Sequence, residues 1–240
     1  TEFGTEVHAM LEDVSNMDLG AAQRSLDQVV AAHRVNIANL DFPAGEVSQY
    51  LERFDAICKT FVPWLVEHVA GSRCVAEARL HAATAAGSPI YGIQDLLLVD
   101  DEAKTVRIVD YKTGLKHEVP TKYERQLKFY KLLVESSAEF EGYTVEAMGD
   151  YYVEPDKKTG ELSKPFMATT TAEEVCELER LIDAVWARVR AGAWDTSAFE
   201  QSQLFEQARE QQESCRNKKD KAAVMQQAYE QWLVETAPGC

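Results

Sequence analysis

Two aspartates interrupt apolar runs in the middle of this chain, Asp95 in residues 90–99 (IYGIQDLLLV) and Asp110 in residues 105–112 (TVRIVDYK). A carboxylate is costly to bury without a partner. Both runs have strand character, and the acidic stretch Asp100–Lys104 between them reads as a hairpin turn. With residues 101–104 as the loop, Asp100 faces Thr105, and counting back sets Asp95 opposite Asp110. Two like charges then stand roughly 5 Å apart across the strands, which destabilises a sheet unless something positive lies between them. A divalent metal meets that need. Asp110 and Lys112 are two apart and project from one face, while Tyr111 points to the other. A metal-binding carboxylate beside an ammonium can activate a water for attack on phosphorus, and the backbone carbonyl of Tyr111 offers a hard cation a further oxygen. Gly92 leaves the strand open to close approach of a sugar–phosphate backbone. Gln126 and Tyr130, four apart on one helical face, either reach the same site or pack against Tyr123 and Leu133. Glu77 sits among small residues in a strand-like run, where it can touch a metal or pair with Arg79 or Lys112.

These side chains need a sheet and helices to hold them. Apolar residues at helical spacing (Phe3, Val7, Leu11, Val14) predict a helix over residues 5–19 with Thr5 as N-cap. A second helix follows Asp18–Gly20, with Leu26, Val29, Val30 and His33 on one stripe. A third spans Glu46 to Val69, with Pro63 expected to kink it. Strands are predicted over 74–82, 90–99, 105–112 and 143–153, a helix over 121–136 opened by Thr121, and a short edge strand over 165–170. Glu154–Lys164 reads as loop. From Ala172 the pattern is helical, broken at Gly192 and around Asp195–Ser197, and residues 199–234 form one long helix or a helix pair. The class is α+β: a small mixed sheet flanked by N- and C-terminal helices. A single domain is expected, with its core over about 4–153 and a helical extension over about 172–240.

Composition narrows the function. The chain has 240 residues, 45% of them hydrophobic, and a formal net charge of −15. No apolar run approaches the ~18 residues of a membrane span, and the first residues lack the order of a signal peptide, so a soluble protein with no membrane partner is expected. The 5 cysteines show no zinc spacing and read as free thiols in a reducing compartment, the cytoplasm. Motifs of P-loop motors, zincins and serine hydrolases are missing. A start at Thr1 rather than Met reads as a chain trimmed from something longer. The acidic total is unusual for a nucleic-acid enzyme, but Lys104, Arg107, Lys112, Lys116, Lys122, Arg125, Lys128 and Lys131 stand against only Asp110, Glu118 and Glu124 in the same stretch. That strip can guide DNA into a cleft, or it can be a solvated helix face.

Four motifs in order, Gly4-Thr5-Glu6-Val7-His8, Gly92-Ile93-Gln94-Asp95, Asp110-Tyr111-Lys112 and Gln126-Leu127-Lys128-Phe129-Tyr130, resemble those of the RecB-like and lambda-exonuclease-like nucleases of the PD-(D/E)xK superfamily. The resemblance covers residues 4 to about 153. It implies an αβββαβ restriction-endonuclease-like core and a Mg²⁺- or Mn²⁺-dependent deoxyribonuclease, an exonuclease of recombination or repair. It also implies that His8, Asp95, Asp110 and the Tyr111 carbonyl hold metal, that Lys112 positions the attacking water, and that Gln126 and Tyr130 orient DNA or Lys112. A recombination or helicase protein is the partner it suggests besides DNA. One branch of the family carries cysteines for an iron–sulfur cluster; this chain lacks them, so no cluster is expected. Two other readings stay open: an inactive nuclease fold kept as a DNA-binding or scaffolding module, and an acidic protein-interaction domain.

Overall fold

The computed structural model describes residues 1–17, 23–43, 45–70, 72–114, 121–192, 197–215 and 218–237. Helix α1 (Glu2–Ser15) starts one turn earlier than its sequence suggested: Thr1, not Thr5, is the N-cap, its hydroxyl accepting from the Gly4 amide at 3.2 Å. The early start follows from burial: Phe3 belongs to the same buried stripe as Val7, Leu11 and Val14, and it joins that stripe only if it is helical itself. Helix α2 (Gln23–Ala38) comes next; its expected entry at 18–20 lies outside the described residues. Helix α3 (Val47–Val69) runs through Pro63 as one element and buries Phe54, Ile57, Phe61 and Leu65.

The sheet consists of β1 (Arg73–Ala83), β2 (Pro89–Asp100), β3 (Thr105–Lys112), β4 (Thr144–Tyr152) and β5 (Phe166–Ala168), in the order β1-β2-β3-β4-β5. β2 and β3 pair antiparallel from Leu96↔Val109 to Asp100↔Thr105, the register the turn residues required. Between β3 and β4 the chain crosses over through α4 (Thr121–Glu135), so this pair is parallel and sets Asp110 beside Asp150. β5 closes the edge antiparallel to β4. The element order is the αβββαβ series of a restriction-endonuclease-like core.

Two compact units emerge. The first comprises Thr1–Ala82 and Tyr91–Thr169. Its main core joins the apolar stripes of α1 and α3 to Leu96, Leu98, Val109, Tyr111, Tyr151 and Val153, the residues on one face of the sheet. On the other side, α4 presses on β2 so closely that a Cβ on Gly92 would meet Leu133 at 2.8 Å and Phe129 at 3.4 Å. Gly92 therefore makes room for a helix, and the expected approach of a sugar–phosphate backbone there is corrected. The second unit comprises Ala83–Ile90 and Thr170–Cys240. Thr171 caps α5 (Ala172–Arg190) through a capping box. α6 (Ser197–Glu200), α7 (Gln203–Ser214) and α8 (Lys218–Glu235) follow, around a core of Ala184, Phe199, Trp232, Leu233 and Ala237. In that unit Asp183 and Glu179 of α5 accept from the Thr84 hydroxyl at 2.5 Å and the Ala85 amide at 2.6 Å. No helix among the described residues is long and apolar enough to cross a membrane.

Candidate active site

The first unit gathers the chemistry at one end of its sheet. α1 presents His8, whose Nδ1 lies 3.2 Å from Asp95 Oδ1. The other oxygen of Asp95 accepts the Tyr111 amide at 2.6 Å, which ties β2 to β3 just past their last ladder pair. Tyr111 turns its ring to the opposite face, edge-on to both His8 and Phe61. Ligand atoms of His8, Glu77 and Asp95 all lie within 4.8 Å of one another. Glu77 joins this group from the middle of β1, where its backbone is left-handed at φ 46°, a conformation that costs a non-glycine residue on the order of 1–3 kcal/mol. A bend in the strand and a displaced side chain are the usual result of such a residue.

A cleft of about 470 Å³ opens in front of His8, Glu77 and Glu12, with Thr1, Gly4, Thr5 and Thr113 along it. Gly4 and Thr113 explain each other: a Cβ on Gly4 would meet Thr113 Oγ1 at 3.0 Å. The turn carrying Thr113 is held from behind by Glu154, which accepts the Gly114 amide at 2.7 Å and both prongs of Arg53 at 2.7 and 2.9 Å. Sequence reasoning left Glu154 in a loop and missed this buried anchor.

On the α4 side of the sheet, Lys112 Nζ contacts Asp110 Oδ2, donates to Gln126 Oε1 at 3.2 Å, and stands 3.7 Å from Asp150 Oδ1. Gln126 in turn donates to the Tyr130 hydroxyl at 2.8 Å. The helical pair thus points at the lysine, forming a chain Tyr130–Gln126–Lys112–Asp110. Asp150 was not foreseen, although it interrupts an apolar strand just as Asp95 and Asp110 do.

The electrostatics match a site built for a cation. Burial, then the charge of Asp95, push the Asp110 carboxyl up to about 7 against the pull of Lys112. Burial also raises Glu77, with Asp95 and Glu12 adding to it, and it raises Asp150. His8 shows the complementary effect. Its burial acts to lower the imidazole pKa, yet the hydrogen bond and charge of Asp95, with Asp110 and Glu77, hold it above the ordinary value. A proton on His8 does in part what a divalent cation would do, so the donor set of one imidazole and several carboxylates fits a hard or borderline dication. Asp110 faces Lys112 and is not one of the three residues whose ligand atoms converge.

The basic strip is not a bare cationic face. Lys128 pairs with Glu124 at 3.0 Å, Lys131 with Glu135, and Arg107 with Glu146 at 3.1 Å. Lys116 and the side chain of Lys122 lie outside the described residues. Of the other histidines, His33 bridges Glu6 and Asp13 at 2.7 and 2.9 Å and His68 stacks on Trp64, while His117 is outside the described residues.

The sequence profile of the PD-(D/E)XK nuclease superfamily matches residues 1–230. No curated protein is similar to the chain at a significant level. A profile match over nearly the whole length establishes the family: the chain belongs to the PD-(D/E)XK nuclease superfamily.

Proposed function

We propose that this nuclease-superfamily chain is a divalent-metal-dependent deoxyribonuclease of the RecB-like, lambda-exonuclease-like kind, an exonuclease acting in DNA recombination or repair. The observation that carries the reading is the convergence of His8, Glu77 and Asp95 within 4.8 Å, with the Asp110–Lys112 pair near enough for the charge of Asp95 to act on Asp110. His8, Glu77, Asp95 and Asp110 would hold Mg²⁺ or Mn²⁺, aided by the Tyr111 carbonyl; the metal would polarise the scissile phosphate and make the attacking water more acidic. Lys112 supplies the positive charge that the developing pentavalent phosphate draws on. Gln126 holds Lys112 in place, and Tyr130 holds Gln126. Glu154 and Arg53 fix the Thr113–Gly114 turn along the cleft through which a strand end would enter. A helicase or recombination protein is the partner class that suits such an enzyme. A reducing compartment such as the cytoplasm suits its free Cys58, Cys74, Cys176 and Cys215.

The test is a time course with end-labelled linear and circular DNA in Mg²⁺, Mn²⁺ or chelator. Hydrolysis of the linear substrate alone, lost in chelator and in Asp110→Ala and Lys112→Ala, is the expected result. Cleavage that survives both substitutions refutes the assignment. DNA binding without products in any metal favours the inactive-module reading.

A further inference from the structure

Asp150 is the most deeply buried carboxylate among the described residues, 0% exposed, and neither of its oxygens has a hydrogen-bond partner there. A buried carboxylate whose ion pair with Lys112 is as long as 3.7 Å is expensive to the fold. The fold puts it there for a definite geometric reason: β4 lies parallel to β3 with Asp150 in register with Asp110, so the two carboxylates share a face with Lys112. Lys112 Nζ stands 3.7 Å from Asp150 Oδ1 while it contacts Asp110 Oδ2 and is tethered to Gln126 at 3.2 Å. A shift of about 1 Å would bring the ammonium to charge-assisted hydrogen-bond distance from Asp150.

The contact between Lys112 and Asp110 poses a conflict. If Asp110 turns to a dication, an ammonium on the same carboxylate faces a like charge at close range. It must leave Asp110 without leaving the site, and a counter-charge has to receive it. We propose that Asp150 is a positioning residue for the nuclease reaction: it takes Lys112 when Asp110 is committed to metal, so that the lysine stays on its Gln126 tether beside the reacting phosphate. The proposal rests on the metal-dependent reading given above. It assigns Lys112 two resting places, one on each of two neighbouring strands, and gives the buried carboxylate of Asp150 a use.

The role acts through Lys112, and a double-mutant cycle isolates it. Mn²⁺ binding to the full chain is measured by titration calorimetry for wild type, Asp150→Asn, Lys112→Met and the double variant. Asp150→Asn is expected to weaken Mn²⁺ binding by ~5- to 10-fold, because Lys112 then stays on Asp110 and competes with the ion. In the Lys112→Met background the same substitution should change binding less than ~2-fold. Should the Asn variant fail to fold, Asp150→Ser goes through the same cycle. Unchanged affinity in Asp150→Asn overturns the proposal. So does an equal loss with and without Lys112, which would make Asp150 a direct contributor to the field at the metal. If wild type binds no Mn²⁺ at all, the metal reading itself fails and takes this role with it.

Discussion

Replacing Asp110 by Asn tests the charge balance of the site most directly. The Asp110 carboxyl is 3% exposed and sits at about 7 rather than 3.8. Holding that group ionised at pH 8 therefore costs the folded, metal-free protein on the order of 4 kcal/mol relative to the unfolded chain. Because the folded pKa of this acid is raised, the native state binds the extra proton between about 4 and 7, and metal-free stability falls as pH rises through that window. His8 acts in the same direction: its raised pKa lends stability below its ordinary 6.5 that is lost as pH climbs through the folded value. Asn keeps the shape of Asp110 and removes its charge. In chelator at pH 8 the variant should melt higher than wild type by ~8–16 °C, at roughly 2–4 °C per kcal/mol for a domain of this size. At pH 4.5 the two should nearly coincide, since wild-type Asp110 is then protonated in the fold. Mn²⁺ at ~100 times its dissociation constant should raise wild-type stability by about 2.7 kcal/mol, and the Asn variant by much less. Thermal melts at both pH values, with chelator and with Mn²⁺, read all of this. A variant that melts lower than wild type in chelator at pH 8, or one equally shifted at both pH values, refutes the reasoning.

Two other outcomes are expected. Gln126→Ala and Tyr130→Phe should each lower the cleavage rate ~10-fold or more while leaving the Mn²⁺-induced rise in melting temperature intact, because Gln126 accepts from Lys112 and Tyr130 accepts from Gln126, and neither bond is to a proposed metal ligand; loss of folding would instead show that they serve packing. Gly92→Ala should destabilise the protein by ~1–3 kcal/mol, since its new Cβ would stand 2.8 Å from the buried Leu133, and a chemical denaturation midpoint no lower than wild type would show that α4 is free to move aside.

How far the sequence revealed this arrangement depends on the range of the interaction. The β2–β3 register was readable because the turn between them is short and local chemistry fixes it: Asp100 caps the turn by accepting the Glu102 and Ala103 amides at 2.9 and 2.8 Å, and the ladder follows from Asp100↔Thr105. Gln126 and Tyr130 were readable as one face of one helix, though only the fold shows that the face meets Lys112. Glu77 was visible as a candidate, yet its left-handed backbone was not; nothing in Cys-Val-Ala-Glu-Ala marks that residue for a positive φ.

Asp150 lies beyond local reasoning for a different cause. Its neighbour Asp110 is reached by a parallel crossover, and parallel register is set by how α4 packs on the sheet instead of by a turn. Gly149 shows how tightly that packing is fixed on the strand's other edge, where a Cβ would meet the Phe166 carbonyl at 2.9 Å and Met167 Sδ at 2.8 Å. A slip of one residue along β4 would turn Asp150 to the opposite face and put Gly149 or Tyr151 opposite Asp110. The pairing of Asp110 with Asp150 therefore follows from the packing of the whole unit. A carboxylate left without hydrogen bonds at the end of so constrained a strand is costly to the fold, which is why its use is to be sought in Lys112 and the metal-bound state.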